Sequence, residues 1–149
     1  MATATATVMR SDSELASALR ICVMRLARRL RNERSSDADL TVSQLAALSS
    51  LDRHGSMTPR ELATHERVQP PSMTRILGQL EELGLVERTP HSTDGRQVLV
   101  TPTTQAKTML REDRRRRDAW LATRLRTLTS AERDTLRTAA SILERLAQA

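Results

Sequence analysis

Aromatic side chains are almost missing from this sequence. Trp120 is the only one, with no Tyr and no Phe among 149 residues. A core must then be assembled from Leu, Ala, Val, Ile and Met, which suits packed helices. An all-β sandwich without aromatics and with few β-branched runs would be hard to stabilise. Cysteine is as scarce: Cys22 stands alone, so no intramolecular disulfide can form. No Cys/His spacing resembles a zinc site, and His54, His65 and His91 lack the spacing of metal ligands. No cofactor is expected. No apolar run approaches the ~20 residues of a membrane-spanning helix. The Ala/Thr-rich start lacks the charged opening and long apolar centre of a signal peptide. Residues 1–10 read as a flexible tail, and the protein is expected in the cytoplasm.

Lysine is the last scarcity, and it points to what is abundant. Of 24 basic residues only Lys107 is not Arg, and the net charge is +6. Arg is always charged and forks onto phosphate and guanine, so a polyanion is the first partner to consider. An Arg-rich, Ala-rich chain also follows from genomic base composition, so single arginines carry little weight alone. Hydrophobic residues at 38% and charged ones at 28% describe a chain that is globular but polar for a self-contained monomer. The length suits a single domain.

Helical signals dominate. Leu15, Leu19, Cys22, Val23, Leu26 and Leu30 recur at three and four from Ser11 to about Arg34, so Cys22 falls on an apolar stripe and is expected buried. Thr41-Val-Ser-Gln44, Thr58-Pro-Arg-Glu61 and Thr129-Ser-Ala-Glu132 have the form of capping boxes, in which each end satisfies the other's orphan amide. They open helices through Leu51 to Gly55, to about His65, and through Leu136 to Leu146. Thr103 to about Leu125 is a further long helix. Within it, Arg111 to Asp118 interleaves acids and bases. The pairs Glu112/Arg116, Asp113/Arg117 and Arg114/Asp118 describe a solvated face.

The most informative stretch is Val68 to Gly84. Met73, Ile76, Leu77, Leu80 and Leu83 form one apolar stripe. The opposite face carries Pro71, Thr74, Arg75, Gly78 and Glu82, flanked by Ser72 and Gln79. Pro71 suits the first helical position, leaving the amides of Ser72, Met73 and Thr74 as free donors. Such a start fits a phosphate backbone or base edges; taken alone it fits an ordinary surface helix equally. Preceded by the short Thr58 helix, it makes a helix-turn-helix pattern. Gly84 ends it as a left-handed residue. Leu85 to Thr89 and Val98 to Thr101 are strands around a polar loop with Asp94-Gly95, a strong turn signal. Asp94 either pairs with Arg96 or serves the turn through its own backbone bonds.

The segment Leu80-Glu-Glu-Leu-Gly-Leu-Val-Glu-Arg88, followed by Asp94-Gly-Arg96 and Val98-Leu-Val-Thr101, resembles the MarR family of bacterial transcription regulators. The resemblance runs from about Ser11 to the end. It implies a mostly α fold with a small β-hairpin: a winged helix-turn-helix over about 41–101, within a single domain 11–149. Residues 11–38 and 102–149 would be dimerisation helices. It further implies a homodimer on double-stranded DNA with a pseudo-palindromic operator, most simply a repressor modulated by a small-molecule effector. Ser72, Thr74 and Arg75 would meet bases or nearby phosphates, and Gln69 the backbone. Arg96 would enter the minor groove with Asp94 holding its angle, and Arg88 would touch phosphate. Trp120 would pack near the junction with the terminal helices, beside an effector cavity.

Two departures are visible. Thr104 stands where the family often has Gly, which predicts a local change at that helix start. The absence of Tyr removes the residues that polarise the sensing thiol in one branch. A redox regulator using Cys22 is thus one alternative, and a helical module gripping protein or RNA is another. Nothing resembles a nucleophile with its base, a phosphate loop or paired carboxylates in a cleft, so an enzyme is not expected.

Overall fold

Local caps decide where the elements begin. In the computed structural model, which describes residues 11–33 and 40–148, the order is α1 (Asp12–Asn32), α2 (Val42–His54), α3 (Pro59–His65), α4 (Pro70–Glu82), β1 (Val86–Pro90), β2 (Val98–Pro102), α5 (Thr104–Leu125) and α6 (Ser130–Gln148). The anticipated tail over 1–10 lies outside the described residues. Thr41 with Gln44 and Thr58 with Glu61 form complete capping boxes on α2 and α3. At α6 the Thr129 N–H donates to Glu132 Oε2 at 2.8 Å, and the Glu132 N–H donates to Thr129 Oγ1 at 3.2 Å. Thr103 starts α5 by accepting the Ala106 N–H on its hydroxyl. Its own hydroxyl donates to the Gly84 carbonyl, so the Thr that follows β2 also ties the end of α4. Gly84, at φ 70°, permits the turn after α4, in which the Leu85 N–H reaches back to the Leu80 carbonyl at 2.9 Å.

The chain divides into two compact units, Ser35–Arg115 and Met1–Arg34 with Arg116–Ala149. The first holds the whole buried apolar cluster. Leu48, Leu51, Leu62, Leu77, Leu80 and Val100 have no exposed surface, and full burial of each Leu contributes roughly 1.5–3 kcal/mol. The cluster extends into α5 through Ala106 and Leu110. The winged-helix core therefore runs past the expected limit near residue 101.

The sheet is a two-stranded antiparallel hairpin with Val86 opposite Pro102, Arg88 opposite Val100 and Pro90 opposite Val98. Two strands alone are marginal in water. Here Val86 and Val100 face inward, and Met57 adds a third partner. It exchanges both backbone hydrogen bonds with Val100, at 2.8 and 3.2 Å. This bond pair holds the hairpin beside the segment that leads into α3.

The second unit contains α1, the end of α5 and α6. Neither α1 nor α6 has a buried residue. Leu15, Ile21, Val23, Met24 and Leu26 are exposed, as are Leu136, Ile142, Leu143 and Leu146. Cys22 is exposed too, against the expectation of a buried thiol. Of the apolar stripe on which it lies, Leu15, Val23 and Leu26 are exposed with it, and only Leu19 and Leu30 are half-buried. Trp120 is half-buried. The guanidinium carbon of Arg124 lies 3.8 Å from its ring centroid and that of Arg29 lies 5.5 Å away, distances at which a cation is drawn to an aromatic face.

The charged stretch of α5 is solvated as expected at Arg111, Glu112, Arg114, Arg115, Arg116 and Asp118, but it departs from expectation at two points. Arg114 pairs with Asp52 of α2 instead of Asp118, and Asp113 is buried rather than solvated. A partner 62 residues away in sequence cannot be read from i, i+4 spacing.

Candidate nucleic-acid interface

The helix α4 starts one residue earlier than Pro71 alone would suggest. Gln69 is its N-cap, with φ −63° and ψ 140° and no side-chain capping bond, and Pro70 and Pro71 fill the first two positions. An extended residue before proline is what the proline ring enforces. The shift corrects the count of free donors. Two prolines bring no N–H, and the Met73 N–H already donates to the Gln69 carbonyl at 3.0 Å. Ser72 therefore supplies the one free amide of the first turn. The stripe Met73, Ile76, Leu77 and Leu80 is buried. Leu83 is not part of it: it is the C-cap and 48% exposed.

The outward face is built as follows. Gln69, Thr74 and Arg75 are exposed and Ser72 is half-buried. Thr74 donates its hydroxyl to the Pro70 carbonyl at 3.0 Å, which leaves its oxygen lone pairs outward. Gln79, on the flank, accepts from Gln44 Nε2 of α2 at 2.9 Å. That bond ties the last turn of α4 to α2. The guanidinium of Arg75 has no hydrogen-bond or ion-pair partner among the described residues.

Arg88, on β1, is less free. Its Nε donates to Glu81 Oε2 at 3.0 Å, with the side chains 31% and 46% exposed. An ion pair that open to solvent is worth at most about 1 kcal/mol. The remaining N–H donors of the fork can still reach an outside anion.

At the wing tip, Asp94 does not pair with the Arg96 guanidinium. Its Oδ1 accepts the Arg96 backbone N–H at 3.1 Å and its Oδ2 accepts from Gln97 Nε2 at 3.3 Å. The backbone amide two residues on lies closer than any flexible side-chain end, so the turn takes the carboxylate. Asp94 thus shapes the loop, and the exposed Arg96 fork is left without a partner among the described residues. His91 was not anticipated here. Its Nδ1 accepts from the backbone N–H groups of Thr93 and Asp94, each at 3.3 Å. It braces the other side of the same tip. Ahead of α4, Arg67 adopts a positive φ of 53° and is exposed.

The structure also brings together two histidines whose numbering gave no hint of proximity. The rings of His54 and His65, each from a helix C-terminal turn, lie 4.8 Å apart. With Arg60 and Glu61 they line an open surface depression. The Glu61 carboxyl is held below its ordinary value, chiefly because the Thr58 backbone N–H donates to it, with a further bond from the Thr58 hydroxyl. Among the described residues no group of three or more His, Cys, Asp or Glu is arranged to hold a metal ion, and no helix is long and apolar enough to cross a membrane.

A short helix, a second helix with an unpartnered cationic face, and a braced hairpin with an arginine at its tip define a winged helix-turn-helix protein. Residues 40–98 match the model of the MarR family. A helix-turn-helix transcriptional regulator of Mycobacterium tuberculosis is 48% identical over 136 residues, covering 91% of this chain and 94% of that one. The transcriptional repressor MdtR of Bacillus subtilis is 30% identical over 144 residues, 95% of this chain and 91% of that one. Among solved structures, a Pseudomonas aeruginosa protein superposes with TM-score 0.84 at 36% identity, covering 95% and 99% of the two chains. A mutant of Escherichia coli MarR gives 0.73 at 27%, covering 92% and 98%. The chain belongs to the MarR family: it is a DNA-binding transcription regulator and not an enzyme.

Proposed function

We propose that this chain is a homodimeric repressor that binds a pseudo-palindromic operator and releases it when a small effector binds. The observation that carries this reading is the pair of unpartnered guanidinium groups, Arg75 on α4 and Arg96 on the wing, displayed by a rigid, well-packed unit. In this reading α4 enters the major groove, where Arg75, Thr74 and Ser72 meet base edges or nearby phosphates, while Gln69 reaches the backbone. Arg96 enters the minor groove, whose negative potential attracts a guanidinium. Asp94 sets the shape of the loop that carries Arg96, and Arg88 shares its fork between Glu81 and a phosphate.

Dimerisation is supported by the apolar faces of α1 and α6, which present Leu15, Ile21, Leu136, Leu143 and Leu146 to solvent in a single chain. Two recognition helices would then sit about one DNA turn, ~34 Å, apart. An effector that binds one dimer shape better than another changes this separation and lowers operator affinity. Repression follows the likeness to MdtR, and the cytoplasm is where such a regulator meets DNA. Cys22, exposed on α1, supports a second reading in which peroxide is the signal. Loss of operator binding on peroxide treatment that disappears in Cys22→Ser is its signature.

The decisive measurement is binding to genomic fragments across a salt series. The reading expects log K to fall steeply and linearly with log salt. Arg96→Ala is expected to weaken the selected site by about tenfold or more, in line with ~1–3 kcal/mol for a groove contact. Unchanged affinity in that variant would falsify the minor-groove role.

A further inference from the structure

Arg67 is the only non-glycine residue with positive φ among the described residues. The other two positive-φ positions, Gly55 at 85° and Gly84 at 70°, are glycines. The conformation at 67 is imposed by the turn that closes α3. The Val68 N–H donates to the Ala63 carbonyl at 2.9 Å, and the Arg67 N–H to the Thr64 carbonyl at 3.2 Å. These bonds need a left-handed residue between them, a place that glycine fills without steric cost and a Cβ-bearing residue fills under strain.

The side chain returns nothing to the fold in exchange. Its guanidinium is exposed, with no hydrogen bond or ion pair among the described residues. The adjacent carboxylate, Glu66, is already engaged by the Ser50 hydroxyl. Strain of this kind concentrates where a residue acts on something outside the chain. Arg67 lies two residues before Gln69, the N-cap of α4, on a turn held by the fixed contact of α3 with the core through Leu62 and Ala63.

We infer that Arg67 is a phosphate-binding residue that grips the DNA backbone beside the groove entered by α4. The inference rests on the DNA-binding mode proposed above. The planar fork of Arg fits two oxygens of one phosphate. A cation placed just outside the first turn of a recognition helix positions that helix without reading sequence. The turn fixes the direction of the Arg67 Cα–Cβ bond, and the side chain beyond it orders when it meets the phosphate.

Three variants test it: Arg67→Gly, Arg67→Asn and Arg67→Lys. Each is measured against a duplex selected by the wild-type protein and a random duplex of equal length. Arg67→Gly is expected to raise the thermal midpoint by about 2–4 °C through relief of strain. At the same time it weakens both duplexes by the same factor, on the order of tenfold at low salt. The slope of log K against log salt becomes shallower by about 2 per dimer, one lost phosphate contact on each protomer. Arg67→Asn, neutral and tolerant of the left-handed region, follows Gly in binding, whereas Arg67→Lys keeps the slope. Wild-type affinity and slope in Arg67→Gly overturn the inference, as does a loss confined to the selected duplex, which would make Arg67 a base reader. Arg75→Ala run alongside separates the two levels. If it weakens binding while Arg67→Gly does not, Arg67 alone is misassigned; if neither has an effect, the placement of α4 fails as well.

Discussion

The two units of this chain carry similar sequence signals and reach opposite outcomes. In Ser35–Arg115 the helical stripes close on one another, and every member of the buried apolar cluster lies there. In the other unit, α1 and α6 are equally amphipathic in pattern, yet neither buries a residue. Periodicity declares which face of a helix is apolar; it does not declare what will cover that face. A short α3 and α4 joined by a tight turn, with a hairpin behind them, supply covers for each other. The terminal helices α1 and α6 stand at opposite ends of the sequence, and the end of α5, which precedes α6 by a short turn, leaves the leucines of α6 exposed. Their exposed leucines are the feature on which the proposed homodimer rests.

This contrast can be broken or sharpened by substitution. The largest effect is expected for Leu77→Ala, at a site with no exposed surface: a loss of about 2–5 kcal/mol of unfolding free energy. Chemical denaturation followed by circular dichroism reads it as a lowered midpoint; a loss under 1 kcal/mol would mean that the core is looser than its burial implies. Next comes Leu143→Asp on α6, 38% exposed in one chain. It should leave the stability of Ser35–Arg115 within about 0.5 kcal/mol while raising the dissociation constant of the proposed dimer by on the order of 30-fold. Sedimentation velocity decides it, and an unchanged dimer would send the search for the interface elsewhere.

A smaller effect links the units instead of separating them. Glu61 in one and Glu132 in the other are both held below their ordinary value of 4.5, first by a backbone N–H of Thr58 or Thr129 and then by the same residue's hydroxyl. A depressed folded value means that the caps stabilise above the ordinary carboxylate range and lose that contribution as pH falls through the folded value. Both caps should therefore weaken together in acid. Carboxyl carbon chemical shifts during an acid titration check this, and a Glu61 or Glu132 midpoint at or above 4.5 would contradict the capping geometry. The smallest effect belongs to Arg114→Ala. Its partnership with Asp52 is a surface pair, 57% and 20% exposed, and its removal should cost no more than about 1 kcal/mol in urea denaturation.

Much of the winged unit was legible in the sequence because its decisive signals are local. Thr41 with Gln44, Thr58 with Glu61, and Gly84 act within three or four residues, and so do the alternation of the strands and the Asp94-Gly95 turn. The residues proposed to meet DNA stand out for the same reason, since Arg75 lies opposite a stripe and Arg96 beside a turn. What escaped was either long-range or a matter of which local bond wins. The Gln44–Gln79 bond, the Arg114–Asp52 pair and the meeting of His54 with His65 join residues that no spacing rule connects. Asp94 had two chemically sensible partners, and the nearer backbone amide took it. Arg67 was passed over because a left-handed position usually announces itself with glycine.

The poverty in aromatics has a practical consequence for watching this molecule. With one indole and no phenol, its near-ultraviolet absorption and intrinsic fluorescence come almost wholly from Trp120. That residue sits in the unit of the terminal helices, stacked against Arg124 and near Arg29. Emission therefore watches one unit while far-ultraviolet circular dichroism watches both. If the two melting curves coincide, the units unfold as one cooperative body; if they separate, the gap measures their independence. No label is needed for that experiment.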